Sequence, residues 1–268
     1  MTIFEAFKKA SEETSSRTVA KELLKFVLNT DESNLILKFN EKLKDEKEYF
    51  KLIERFKNSE PLEYIVEKAS FLDREFFVKK GVLIPRFETE ILVEKTLEIA
   101  KNIKNPKICE IGFGSGIISI SLEKELPNSK IIASDISTKA LEVAKVNASK
   151  FNSKVSFIKC AYMDKIDGNF DIIVSNPPYI KEDYKLDKWV KNEPDMALFG
   201  GKDGHEILEN IIILAKKRAK YLACEIGYDQ KEILSNILDK NGFVYEFYKD
   251  LAGFDRGFVA MNKRENFE

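Results

Sequence analysis

Residues Lys107–Ser119, KICEIGFGSGIIS, decide how the rest of the chain is read. An isoleucine-rich run, of the kind that forms a strand buried on both faces, is followed by glycines at the alternate positions 112, 114 and 116. An apolar stretch of helical length then resumes. Strand, glycine turn and helix open a parallel α/β unit. The glycines permit a tight turn with positive φ and close approach of a ligand to the backbone. A helix starting near Gly116 offers free N–H groups at its first turn. Taken alone, such a turn fits a structural role as well as a ligand-binding one.

Outward from this stretch the same grammar repeats. KIIASD (130–135), VSFIKC (155–160), FDIIVS (170–175) and KYLACEIG (220–227) are short apolar runs, and helix-like segments separate most of them. The pattern predicts an α/β fold with a mainly parallel sheet covered on both faces, and with ligands at the carboxyl ends of its strands. GFVYEFYKD (242–250) and GFVAMNK (257–263) leave no room for a helix between them, so an antiparallel pair is expected to finish the sheet.

Up to about residue 66 the periodicity is helical instead. Ile3, Phe4, Phe7 and Ala10, then Val19, Leu23, Leu24, Val27 and Leu28, then Tyr49, Phe50, Ile53 and Phe56 recur at three- and four-residue spacings. We expect a small helical bundle over residues 1–70, a hairpin-like connector over 71–84 and the sheet domain over 85–268.

The 268 residues are 44% hydrophobic and 33% charged with a net charge of −1, the composition of an ordinary globular protein. No apolar run approaches a bilayer's thickness, and MTIFEAFKKASEE lacks the order of a signal peptide, so a cytoplasmic protein is expected. Three scattered cysteines and the single His205 cannot assemble a Cys/His zinc site, and no metal is expected. A Ser-His-Asp triad would have to use His205, which reads as a helix-entry residue. Residues 1–75 carry 14 Lys and Arg against 16 Asp and Glu, which announces no tight nucleic-acid binding.

Two strand ends carry the chemistry. Asp135 closes KIIASD at a spacing from Gly112 that suits an acidic residue receiving ribose hydroxyls, although capping of the next helix is an equal reading. The glycines read G-x-G-x-G rather than G-x-G-x-x-G, which disfavours a dinucleotide. FDIIVS runs into Asn176-Pro177-Pro178-Tyr179. Neither proline has an N–H, and Asn176, preceding a proline, is pushed away from helical geometry. The strand end therefore presents acceptors and few donors. The Asn176 side-chain oxygen and a proline carbonyl can each accept one N–H of a planar NH2 group, with Tyr179 against its flat face.

EIGFGSG, Asp135 and NPPY, in that order, resemble the class I S-adenosylmethionine-dependent methyltransferases. GVLIPRFETEILVE, FDIIVSNPPYI, NEPDMALFGGKDG, EIGYDQ and KDLAGFDRGFV narrow the resemblance to the HemK/PrmC family, the release factor glutamine methyltransferases. The resemblance implies S-adenosyl-L-methionine as cofactor, held by Glu110, Gly112, Phe113, Gly114, Ser115, Gly116, Asp135, Tyr162 and Asn176. It implies that Asn176, Pro177, Pro178 and Tyr179 bind the substrate glutamine, with Asn176, Pro177 and Tyr179 central to transfer. The implied partner is a class 1 peptide chain release factor, methylated at its Gly-Gly-Gln glutamine, with no membrane and no direct nucleic-acid contact. Where the family commonly has Gly and Pro this chain has Glu67 and Phe87, and CAYM replaces an acidic residue and Trp. For Arg86, Glu88, Glu90 and Glu193, structural and functional roles are both open.

The rival readings are a DNA or RNA amino methyltransferase acting on adenine N6 or guanine N2, a Rossmann oxidoreductase, and a cofactor-binding scaffold without catalysis. The first would use the same NPPY on a flipped base and would favour a basic cleft.

Overall fold

A computed structural model describes residues 1–263. They cluster into two compact units, Met1–Lys68 with Asp187–Asn192, and Ala69–Leu186 with the chain from Glu193 onward.

The first unit holds α1 (Ile3–Thr14), α2 (Arg17–Leu28), α3 (Glu32–Leu37), α4 (Glu46–Lys57) and α5 (Leu62–Val66). Its helix starts are set locally. Thr2 and Glu5 form a reciprocal capping box, and Ser16 and Asp31 cap the next two helices. The apolar stripes then meet: Ala6, Ala10, Leu23, Leu24 and Ile53 are fully buried in one core, where the Tyr49 hydroxyl donates to the Ala20 carbonyl at 3.0 Å. Phe4, counted in the expected stripe, is instead half exposed against Phe39. Glu67 ends α5 at φ 56°, in the left-handed region where glycine is favoured. Segment 187–192 joins this unit through Trp189, whose ring lies 4.8 Å from that of Phe56, and through Asn192, which donates to the Ser59 carbonyl.

The second unit begins with the short strands β1 (Lys68–Phe71) and β2 (Arg74–Phe77). Leu72 and Asp73, both at positive φ, turn the chain between them, and Glu90 accepts from the Leu72 N–H at 2.9 Å. At the connector expected over 71–84, the hairpin itself spans Lys68–Phe77 with its turn at Leu72-Asp73, and irregular chain follows it to Phe87.

Beyond α6 (Glu88–Ala100) come β3 (Lys107–Ile111), α7 (Ile117–Glu125), β4 (Lys130–Asp135), α8 (Thr138–Lys150), β5 (Ser156–Lys159) and β6 (Phe170–Ser175). The small strands β7 (Ile180–Lys181) and β8 (Phe199–Gly201) precede α9 (Glu206–Arg218), β9 (Ala219–Glu225), α10 (Lys231–Lys240), β10 (Phe243–Lys249) and β11 (Asp255–Asn262). Among the described residues the large sheet is ordered β10-β11-β9-β6-β3-β4-β5. It is parallel from β9 to β5, and β11 and β10 add antiparallel at its edge.

Both faces are covered, which is why the strands read as unbroken apolar runs. Ile172 and Val174 point to the side packed by Leu92, Val93 and Ile118, whereas Ile173 between them points to Leu208, Ile212 and Leu238. The chain moves from β3 out to β5 and returns to the other side of β3 as β6. That reversal makes the carboxyl ends of β3 and β6 the topological switch point, where such sheets bind ligands. No helix among the described residues is long and apolar enough to cross a membrane.

Candidate active site

A cleft of about 260 Å³ opens at the switch point, lined by Gly112, Gly114, Asp135, Tyr162, Asn176, Pro177 and Pro178 among others. Gly112, Gly114 and Gly116 all have positive φ, at 80°, 51° and 82°, a turn that side-chain-bearing residues would adopt only under strain. The turn is tied to the neighbouring strand. Gly112 N–H donates to the Ser134 carbonyl at 2.7 Å, and Gly114 N–H donates to Asp135 Oδ2 at 2.9 Å. Asp135 Oδ1 accepts from the Ser137 N–H, while the cap of α8 is Ser137 itself. Asp135 is therefore a loop-bracing carboxylate at the cleft and not the helix cap. Burial raises its pKa against the pull of these backbone donors.

Gly116 lines neither the cleft nor the recess beside it, and Phe113 borders that recess while its ring packs inward. A Cβ on Gly116 would meet the Phe157 ring at 3.1 Å and Ala144 at 3.3 Å, so this glycine serves helix-against-sheet packing. Phe113 is 2% exposed and lies edge-on to Phe157, because its place in the turn points it into the core. Ser115 and Glu110 border a recess of about 30 Å³ that also touches Thr89 and Asn176. Glu110 is fully buried. Its Oε2 accepts the Ser119 N–H at 3.0 Å and the Ser119 hydroxyl, and its Oε1 has no partner. Burial pushes this carboxyl up to about 8.

Tyr162, at φ 41°, lines the cleft together with Ile136, Ala161 and Ile207, and its hydroxyl accepts from Asn210.

The Asn176–Tyr179 loop is anchored at several points. Ser175 donates to the Ile111 carbonyl at 2.6 Å, tying β6 to β3. Asn176 Nδ2 donates to Thr89 Oγ1 at 2.9 Å, Thr89 donates to Glu225 Oε2 at 2.7 Å, and the Tyr179 hydroxyl donates to Glu225 Oε1 at 3.1 Å. Gln230 Nε2 donates to the carbonyls of Tyr179 and Gly204, and Gln230 Oε1 accepts from Gly227. Gly200 and Gly204 back the loop so closely that a Cβ would stand 2.6 Å from the Pro178 oxygen or 2.7 Å from the Tyr179 oxygen. Thr89, Glu225 and Gln230 were not singled out from the sequence. Each lay inside a motif block but matched no chemical pattern of its own.

Among the acidic residues left open, Glu193 is 5% exposed and accepts from the Ile84 N–H at 2.9 Å and from the Arg86 guanidinium. This clamp holds the segment whose Pro194, Met196 and Ala197 line the cleft. Phe87, at φ −63° and exposed, takes the backbone conformation a proline would have there.

This strand order, with a glycine turn on β3 and an acceptor-rich NPPY end on β6, defines a class I, Rossmann-like methyltransferase. Two family models match, the PrmC N-terminal domain over residues 3–66 and the methyltransferase small domain over 87–193. Release factor glutamine methyltransferases of Clostridium acetobutylicum (40% identity, covering 89% of each chain) and Aquifex aeolicus (36% identity, 93% of this chain and 92% of the relative) are similar along most of their length. The chain belongs to the release factor glutamine methyltransferase family. Among solved structures, the ribosomal protein L11 methylase of Lactobacillus delbrueckii subsp. bulgaricus (TM-score 0.52, 22% identity, 73% of this chain and 90% of that one) shares the fold. So does the human Mettl16 catalytic domain (TM-score 0.58, 14% identity, 82% and 80%).

Proposed function

We propose that this protein transfers a methyl group from S-adenosyl-L-methionine to the side-chain amide nitrogen, N5, of the glutamine in the Gly-Gly-Gln motif of class 1 peptide chain release factors. One observation carries the chemistry. Asn176 donates from Nδ2 to Thr89, which leaves its Oδ1 for the cleft beside two prolines that have no N–H.

The residues present fit the cofactor. Asp135 keeps lone pairs free for a pair of ribose hydroxyls beyond the two backbone donors it accepts. The orphaned Glu110 Oε1 suits the cofactor's ammonium, the glycine turn admits its methionine portion, and Tyr162 with Ile136 gives adenine an apolar wall. When bound, S-adenosylmethionine supplies a methyl group already activated on its sulfonium. An amide nitrogen is a poor nucleophile because its lone pair is delocalised into the carbonyl. Asn176 Oδ1 and the Pro177 carbonyl grip its two N–H bonds, orient it and stabilise the positive charge that develops on nitrogen, while Tyr179 limits its tilt. No general base is needed before transfer: the electrons of the broken S–C bond stay on sulfur, and the methylated nitrogen then gives up one of its two protons to solvent.

We assign recognition of the release factor to the helical unit, because the sheet unit already contains every group the chemistry uses. A fragment beginning at Phe71 that methylated intact release factor as fast as the full chain would remove that assignment. A translation factor as substrate places the enzyme in the cytoplasm. The proposal is tested with labelled cofactor and, separately, release factor, DNA and RNA as acceptors. Label is expected on release factor alone, and label on nucleic acid alone would replace this function with a base amino methyltransferase.

A further inference from the structure

The buried carboxylate of Glu225 lies outside the lining of the cleft, yet Tyr179 directly and Asn176 through Thr89 both end on it. Thr89 and Glu225 are each 1% exposed, so solvent does not replace their hydrogen bonds. The partners stand 87, 136 and 46 positions apart in sequence along the path Asn176, Thr89, Glu225, Tyr179. Only the folded sheet brings them together.

A hydroxyl has a single proton, and this fixes the direction of the whole chain. Thr89 gives its proton to Glu225 Oε2, so toward Asn176 its oxygen can only accept. Asn176 must then turn Nδ2 to Thr89 and Oδ1 away from it. With the amide reversed, Oδ1 would face the lone pairs of Thr89 Oγ1, two acceptors without a proton between them in a buried place. The other oxygen, Glu225 Oε1, accepts from Tyr179. Arg256 lies beside that hydroxyl and favours its lone pairs there, which keeps the Tyr179 proton directed at Glu225.

We propose that Glu225 is a positioning residue for methyl transfer: through Thr89 it sets the Asn176 amide with its oxygen toward the substrate, and through Tyr179 it fixes the ring beside the same amide. This rests on the reading of Asn176 as the holder of the target amide. A glutamine at position 225 has nearly the same shape but one acceptor. Either placement of its NH2 group sets a donor against the Thr89 or the Tyr179 proton. In the first case Thr89 turns its proton to Asn176, whose amide reverses and offers the substrate N–H bonds a donor.

The ionisation of Glu225 is coupled to this arrangement. Burial pushes it up to about 7, against the pull of the Thr89 and Tyr179 hydroxyls and Arg256. The titratable groups that face it are Glu88 of α6, Tyr179 after β6, Tyr248 of β10 and Arg256 of β11. Only the ionised form accepts at both oxygens without a proton of its own to place. At saturating cofactor, kcat therefore rises with pH through about 7 in the natural protein, and this limb is absent in Glu225→Gln.

The experiment measures kcat, KM for release factor and the dissociation constant of S-adenosylhomocysteine for the natural chain, Thr89→Ser, Thr89→Val, Glu225→Gln and the Thr89→Val/Glu225→Gln double variant. Thr89→Val and Glu225→Gln are each expected to lower kcat on the order of 10²-fold, with cofactor-product affinity retained. Thr89→Ser, which restores the hydroxyl, is expected to recover most of the rate, and the double variant to be no slower than its slower parent. Glu225→Gln with unchanged kcat, Thr89→Ser as slow as Thr89→Val, or multiplicative losses in the double variant would overturn the proposal. Should Glu225→Gln fail to fold, the Ser and Val variants at position 89 decide the matter. A natural chain that methylates no release factor would overturn the functional reading instead, a result separate from any of these.

Discussion

Asp135 Oδ2 accepts the Gly114 N–H at 2.9 Å, so the strand-end carboxylate that borders the cleft also holds the glycine turn in place. Replacing it removes both roles. Asp135→Ala is expected to weaken S-adenosylhomocysteine binding by about 1.5–3 kcal/mol, the loss of charge-assisted hydrogen bonds. Asp135→Asn keeps an acceptor for Gly114 and should lose less. Titration calorimetry on both variants reads the difference, and unchanged affinity in the alanine variant would remove Asp135 from the site.

Asn176→Ala separates substrate handling from cofactor binding. Single-turnover rates should fall on the order of 10²–10³-fold, while S-adenosylhomocysteine still binds, because one of the two acceptors proposed for the target amide is gone. Tyr179→Ala should be milder. A variant at position 176 that retained most of its turnover would show that the amide is held elsewhere.

The acidic groups predict how stability depends on pH. Burial raises Glu110 to about 8 and Glu225 to about 7, both from an ordinary value of 4.5. Between those limits the native chain binds more protons than the unfolded one, so the stability of the ligand-free protein falls as pH rises from about 4.5 toward 8. Thermal melts from pH 5 to 8 should show a declining Tm, and Glu110→Gln should flatten the decline. A Tm that rose steadily across this range would contradict it.

Two glycines give a matched pair of substitutions. Gly204 has φ 84° and a Cβ there would stand 2.7 Å from the Tyr179 oxygen, whereas Gly168 has φ 87° with nothing within 4 Å. Gly168→Ala should cost only the left-handed strain, about 1–2 kcal/mol, with turnover intact. Gly204→Ala should cost more and slow turnover by moving the loop that carries Tyr179. Chemical denaturation and turnover of the two variants, measured side by side, test this.

The sheet was legible because its strands are buried on both faces and read as unbroken apolar runs, and the site because glycine and proline leave a local mark wherever they bend the chain. Asn176-Pro177-Pro178-Tyr179 announced its acceptors by what prolines lack. Thr89 and Glu225 announced nothing: a threonine in the first turn of a helix and a glutamate at a strand end are ordinary, and their meaning comes from a hydrogen bond across 136 positions. Gln230 is silent for the same reason, since its target is the Tyr179 carbonyl 51 positions away. Phe113, implied by the resemblance as a cofactor residue, borders the recess beside Glu110, and its packing against Phe157 could not be read from the sequence. Segment 187–192 fell within the sheet domain expected over 85–268 but clusters with the helical unit, because a short polar stretch with one tryptophan carries no periodicity, and its partners Phe56 and Ser59 lie more than a hundred positions earlier.

The central claim is that NPPY presents a glutamine amide to the methyl donor, and it is tested most directly by mass spectrometry of a class 1 release factor after incubation with the protein and S-adenosylmethionine. A single added methyl group is expected on the glutamine of the Gly-Gly-Gln motif, whose glycines let the backbone approach a narrow cleft. A Gln→Asn substrate should react poorly, since one methylene less withdraws the amide from the aligned donor. Modification of another residue, or an unmodified release factor beside methylated DNA or RNA, would contradict the account.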